Sequence, residues 1–181
     1  LKAIGISQRF LDSSFENYEP VSEKAQRALK TIVAYRDQFD KMKESGTSLV
    51  LCGRPGTGKT HLASALAISL RNRPVPDKGC ITYQGLYITY TTSFRMMARI
   101  KATYNRYEAK ETETSVINNL INRDLLIIDE VGVQFGSEAE KVLFYQVINC
   151  RYDNVLTTVL ISNLTEQELE SVLAHELAHV H

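Results

Sequence analysis

Apolar residues recur at helical spacing from Ser22 to about Lys43, at Ala25, Ala28, Leu29, Ile32, Val33 and Phe39. Ser22 is placed to cap that helix and Gly46 to end it. The pattern then changes to short apolar runs of strand type separated by helix-forming segments. The runs are Ser48 to Cys52, Leu86 to Tyr90, Leu125 to Ile128 and Thr157 to Ile161. Helices are predicted over His61 to Leu70, Ser93 to about Tyr107, Glu113 to Asn122, Glu138 to Cys150, and from Thr165 onward. The stretch from Asn72 to Gly79, with Pro74 and Pro76, reads as a loop. Strands that are apolar on both faces and alternate with helices specify an α/β fold, a parallel sheet covered by helices on both sides. Residues before Ser22 mix aromatics with turn formers and show no sustained period, so 1–21 reads as an extended arm or linker and 22–181 as one domain.

Composition narrows the picture. At 181 residues and 44% hydrophobic content the chain has the size and make-up of one globular domain. Its longest apolar runs are far short of a membrane span, so no membrane role is expected. Lys plus Arg and Asp plus Glu both number 21, so any surface for a polyanion must be local. The three cysteines, Cys52, Cys80 and Cys150, lack metal or disulfide spacing, which fits a reducing cytoplasm. Cys52, in an apolar run, reads as a buried, inert thiol.

The run Gly53-Arg54-Pro55-Gly56-Thr57-Gly58-Lys59-Thr60 follows a strand and precedes a helix, the context a phosphate-binding loop requires. A triphosphate is densely anionic, so its loop must bring many backbone N–H groups close with few side chains in the way. Gly53, Pro55, Gly56, Thr57, Gly58, Lys59, Thr60 and His61 are therefore the expected ATP or ADP contacts. Lys59 is suited to the β and γ oxygens, and Thr60 offers a hydroxyl to Mg²⁺. Asp129-Glu130 ends the apolar strand Leu125 to Ile128. Asp129 is expected in the metal shell, and Glu130 as the group that polarises the attacking water. Asn163 follows the next strand and would sit at the same sheet edge, either orienting that water or simply opening the last helix.

Four segments in this order carry a family resemblance: Ser14-Phe15-Glu16-Asn17-Tyr18, the loop Gly53 to Leu62, Leu125 to Gly132, and Ser162-Asn163. Together they resemble the DnaC-type replicative helicase loaders, and the related IstB-type transposition helper ATPases share most of them. The likeness spans about Phe10 to Leu173. It implies a P-loop AAA+ core with a five-stranded parallel sheet flanked by helices, and an ATPase that delivers a hexameric, DnaB-type replicative helicase to single-stranded DNA. It also implies spiral self-association, with a neighbouring subunit supplying an arginine to the γ-phosphate. Catalytic roles for Glu130, Lys59 and Asn163 follow from it, Asn163 as the sensor residue.

The family places a helix associated with single-stranded DNA where Ser93 to Lys110 falls. There Arg95, Arg99, Lys101, Tyr104 and Arg106 combine cations for phosphates with an aromatic for base stacking. A solvated amphipathic helix with its aromatics in the core is the plainer reading of the same residues. The family's N-terminal helicase-binding region is not in this sequence, and its C-terminal lid is expected to be missing or incomplete. Slow hydrolysis by a monomer is expected on that ground. Alternatives are the transposition helper and a nucleotide-switched adaptor with little turnover, for which a missing Glu130 would be expected. His175-Glu176-Leu177-Ala178-His179 matches a zinc-helix pattern, but no third ligand or cleft is evident for it.

Overall fold

The structure is a computed structural model that describes residues 4–73, 75–77, 80–82, 85–105, 109–132 and 137–177. The side chains of 75–77, 80–82 and 172–177 are outside that description. The elements run α1 (Glu23–Asp37), α2 (Phe39–Ser45), β1 (Leu49–Cys52), α3 (Lys59–Arg71), β2 (Val75–Asp77), β3 (Cys80–Thr82) and β4 (Ile88–Thr92). They continue with α4 (Ser93–Lys101), α5 (Glu113–Ile121), β5 (Leu125–Val131), α6 (Glu138–Asp153), β6 (Thr157–Ser162) and α7 (Glu166–Leu177).

Strands β1, β6, β5 and β4, in that order, form a parallel sheet. Alternation along each strand divides the core. Leu125, Ile127, Val159 and Ile161 face α1 and α3, whereas Leu126, Ile128 and Leu160 face α4, α5 and α6. This is the expected α/β sandwich, but the sheet has four strands among the described residues, not five. The stretch expected to be a loop instead contains β2, which pairs antiparallel with β3 just beyond it and not with the sheet. Pro76 has no N–H to offer a ladder, and such short strands suit a separate hairpin.

The helix expected from Ser22 to Lys43 is two helices. Ser22 Oγ accepts from Ala25 N–H at 3.1 Å and starts α1 as predicted. At Gln38 the backbone leaves helical values, with φ −105° and ψ 19°. Across that break Tyr35 and Phe39 pack edge to face, 6.0 Å apart, and both are buried. Gly46, at φ 65°, ends α2 as predicted. Helix α4 is shorter than expected, ending at Lys101 and passing into a 3₁₀ turn over Ala102–Tyr104; Arg106 and Tyr107 lie outside the described residues.

The arm is extended only in part. It makes a 3₁₀ turn at Gln8–Phe10, and Ile4, Ile6 and Tyr18 are buried in the core shared with α1 and α3. Arg151 in α6 is fully buried. Its guanidinium donates to the carbonyls of Leu120 at 3.0 Å, Ile121 at 2.5 Å and Thr157 at 2.5 Å, and to Thr158 Oγ1 at 3.0 Å. It thereby fastens the end of α5 to the start of β6, and the carbonyls at a helix C-terminus suit its charge. Burial lowers its pKa to about 10, so it stays charged at neutral pH.

Candidate functional site

The carboxyl edge of the sheet gathers the sequence-predicted residues. β1 runs into the Gly53–Gly58 loop, and β6, lying between β1 and β5, brings Asn163 between that loop and Asp129-Glu130. Only the strand order places these segments side by side, since they are far apart in sequence.

Helix α3 begins at Gly58, which has φ 81° and offers no side-chain oxygen to the first turn. Its N–H donors are thus left for an anion, where the helix dipole also favours negative charge. Gly58 is required twice over. Its φ disfavours L side chains, and a Cβ there would come within 2.4 Å of Tyr18 Cε2. A Cβ on Gly53 or Gly56 would meet nothing within 4 Å, so the space above the loop is open and backbone conformation alone selects glycine there. Gly53 N–H donates to Leu164 O at 3.2 Å, which ties the loop to the residue after Asn163.

Lys59 Nζ turns back onto the loop, donating to Gly53 O at 2.6 Å and Arg54 O at 2.9 Å. Burial lowers its pKa while the charge of Asp129 opposes that shift. The ammonium therefore rests on two loop carbonyls, which leaves one of its three N–H donors to turn toward a phosphate. His61 faces away from the loop. Its Nε2 lies 2.8 Å from Ser14 O, and its ring stacks at a tilt on Tyr18, whose hydroxyl donates to Thr57 O at 2.8 Å. Sequence reasoning listed His61 as a nucleotide contact, but its observed contacts are all to the arm.

Asp129 is buried, 6% exposed. Its Oδ2 accepts from Thr60 Oγ1 at 2.9 Å and from the Tyr90 hydroxyl at 2.7 Å, and its Oδ1 accepts from Glu130 N–H at 2.7 Å. Burial, reinforced by the aspartate's charge, pushes the Tyr90 phenol far above its usual value and keeps it a proton donor. Glu130 is exposed, with φ 60°, at a register shift where β5 slips against β6 between Ile128 and Val131. Its carbonyl accepts from Ser93 Oγ at 2.9 Å. A left-handed glutamate in a strand is strained, and such strain concentrates at functional positions. Asn163 is exposed. Beside it, Ser162 Oγ donates to Val131 O at 2.7 Å and accepts from Leu164 N–H at 3.1 Å, holding the ends of β5 and β6 together.

The donor set fits a magnesium nucleotide. Among the described residues no cluster of three or more His, Cys, Asp or Glu side chains could hold a metal by itself. A cation here would need phosphate oxygens and water besides Thr60 and Asp129, as a hard, incompletely caged Mg²⁺ does. Tyr90 and Ser162 were missed in the sequence. Tyr90 looked like one more alternating strand residue, and nothing local signals that its hydroxyl reaches Asp129. Cys52 is half-buried, its thiol pushed up chiefly by burial and also by Glu166, which agrees with an inert role.

The nucleic-acid candidates are only partly assembled. Arg95 and Arg99 line a groove of about 470 Å³ beside β4, joined by Arg71 and Arg123, which sequence reasoning did not pick out. Arg99 is held by Glu111 through two bonds of 3.0 and 2.5 Å, and Lys101 pairs with Glu140. Tyr104 is exposed, as is Phe94, so the aromatics of this segment are not all in the core. Arg106 lies outside the described residues. The backbone of His175 and Glu176 belongs to α7, while their side chains and residues 178–181 are outside the description. No described helix is long and apolar enough to cross a membrane.

Comparison with known proteins agrees with this geometry. The profile of the IstB-like ATP binding proteins matches residues 10–179. The chain is 31% identical over 173 residues to the replicative helicase loader DnaC of Buchnera aphidicola subsp. Schizaphis graminum, covering 96% of this chain. It spans 64% of that relative's length. A crystal structure of the DnaC helicase loader superposes with a TM-score of 0.73 at 24% identity, covering 95% of this chain and 88% of that one. A replication initiator DnaA bound to AMPPCP and single-stranded DNA superposes with a TM-score of 0.70 at 18% identity, covering 96% and 49%. The structural likenesses show the α/β fold, a parallel sheet flanked by helices.

Proposed function

The chain belongs to the IstB-like ATP binding family, and from that premise we propose that it is the ATPase domain of a replicative helicase loader. It would use ATP and Mg²⁺ to switch its grip on a DnaB-type helicase and on single-stranded DNA. The observation that carries the nucleotide half is the 2.9 Å hydrogen bond from Thr60 to Asp129, which links the phosphate loop to the acidic strand end. The helicase half rests on the relatives named helicase loaders.

Mg²⁺, if bound with ATP, would supply charge neutralisation at the phosphates. Gly56, Gly58 and the first turn of α3 offer N–H groups to the phosphates, and Lys59, held by the loop carbonyls, adds its remaining N–H. Thr60, whose hydroxyl donates to Asp129, and Asp129 itself would hold the metal. Glu130, in no ion pair among the described residues, accepts a proton from the attacking water, and Asn163 orients that water. Turnover by a lone monomer is slow, since a neighbouring subunit in a spiral assembly completes the site. Arg95 and Arg99, with Lys101, Tyr104 and Arg106 on the same segment, contact the DNA strand.

A second reading, the transposition helper, is favoured by the name of the matching family. A nucleotide-switched adaptor with little turnover is disfavoured by Glu130. Capture of the full-length protein on its cell's replicative helicase, with and without ATP and with Lys59→Ala as control, separates the readings. A nucleotide-dependent helicase complex is expected; recovery of a transposase instead would transfer the assignment to the second reading.

A further inference from the structure

Tyr90 stands in the middle of β4, on the strand beside the one that carries Asp129, and is 6% exposed. A buried tyrosine hydroxyl needs a partner, and many find a backbone carbonyl. This one has Asp129 Oδ2 at 2.7 Å, the same oxygen that accepts from Thr60 at 2.9 Å. The other carboxylate oxygen is occupied by the N–H of the next residue, Glu130, at 2.7 Å. Three neutral donors therefore hold a buried carboxylate, and no described ion pair involves it.

That arrangement has a chemical consequence. With two hydrogen bonds on Oδ2, both of its in-plane lone pairs are engaged, so Asp129 cannot present that oxygen directly to a cation without losing one donor. Thr60, which shares the aspartate with Tyr90, gives its hydroxyl hydrogen to Asp129 and so has oxygen lone pairs, not a donor, to offer a cation. Helix α3 repeats a hydroxyl one turn further on, at Ser64, which is buried and, with Thr60, interacts with the Tyr90 phenol. The phenol thus sits in a small polar seam between α3 and the sheet, within an otherwise apolar core.

We propose that Tyr90 is a positioning residue of the magnesium site: its O–H locks the Asp129 carboxylate so that Asp129 acts on the metal through the Thr60 hydroxyl and bound water. The inference rests on the magnesium–nucleotide reading above and deepens it. Partners that orient a metal site from behind typically contribute about 10- to 100-fold in metal affinity.

The test is equilibrium binding of a fluorescent ADP to the purified chain, titrated with Mg²⁺ from EDTA upward, for wild type, Tyr90→Phe and Asp129→Asn. Phenylalanine keeps the ring and its packing, and the circular dichroism spectrum together with ADP affinity in EDTA reports that the fold is intact. The expected result is ADP affinity in EDTA within about twofold of wild type and a Mg²⁺ half-saturation about tenfold higher in Tyr90→Phe. Superimposable Mg²⁺ curves for Tyr90→Phe and wild type, with Asp129→Asn shifted, would overturn the role of Tyr90 and leave the magnesium reading standing. Curves unchanged in Asp129→Asn as well would remove both. Loss of ADP binding by Tyr90→Phe already in EDTA would reduce Tyr90 to a packing residue.

Discussion

Tyr18 donates its phenolic hydrogen to the backbone carbonyl of Thr57 at 2.8 Å, joining the N-terminal arm to the crest of the phosphate loop across 39 residues of chain. The same ring lies against Gly58 and tilts on His61, which in turn contacts Ser14 O. The arm is thus a buttress of the nucleotide site rather than a tether leading to it.

Tyr18→Phe should remove one part-buried hydrogen bond, about 1 kcal/mol, and lower Tm by about 2–4 °C. Because the lost bond lies on the loop, ADP affinity should fall with it. Thermal unfolding with and without ADP measures both, and an unchanged Tm would show that the arm contributes no stability through this contact.

Glu130 should show opposed effects on activity and stability. At φ 60° a glutamate carries backbone strain that Asn or Gly relieves, so Glu130→Asn should be as stable as wild type or more stable by up to about 1 kcal/mol. Hydrolysis should fall at least about 100-fold, the contribution of a positioned general base. Chemical denaturation and a phosphate-release assay on one preparation decide it; a variant that is both less stable and fully active contradicts the assignment.

The Arg99–Glu111 pair makes the DNA reading testable in both directions. Glu111→Ala should free Arg99 and strengthen binding of a fluorescent oligonucleotide, whereas Arg99→Ala should weaken it and flatten the salt dependence. Anisotropy at two salt concentrations provides the readout. If neither variant moves the affinity, the DNA strand does not touch this helix.

Tyr35 predicts an alkaline signature. Burial raises its phenol to about 12 from an ordinary 10, while its hydroxyl donates to Thr47 O at 2.7 Å. Between pH 10 and 12 the unfolded chain has lost this proton and the folded chain has not. Folding therefore binds a proton, and stability falls as pH rises through that window. Tyr35→Phe should be about 1 kcal/mol less stable at pH 7 and should close that gap above pH 10. Denaturant melts at pH 7 and pH 11 measure the two differences; a constant gap would mean that the phenol ionises alike in both states.

Much of the site was legible because its signals are local. The spacing of Gly53, Gly56, Gly58 and Lys59, and the acidic pair closing an apolar strand, are patterns that the backbone chemistry of a phosphate loop imposes on neighbouring residues. The helix starts at Ser22 and near Glu113, and the stop at Gly46, were legible for the same reason. What no local pattern carries was decided by packing. The predicted helix breaks at Gln38; His61 contacts the arm; and Arg99 and Lys101 pair with Glu111 and Glu140.

The sequence by itself determined the parallel α/β fold, the phosphate loop and the identity of the acidic strand end, since each depends on residues within one turn or one strand of each other. Tertiary structure alone decided that β6 lies between β1 and β5, so that Asn163 falls between the loop and the acids, and that the sheet has four strands among the described residues, with a separate hairpin. It alone decided that Tyr90 meets Asp129, because a side chain's partner on the next strand depends on strand order and register, and neither is written in the spacing of a single strand.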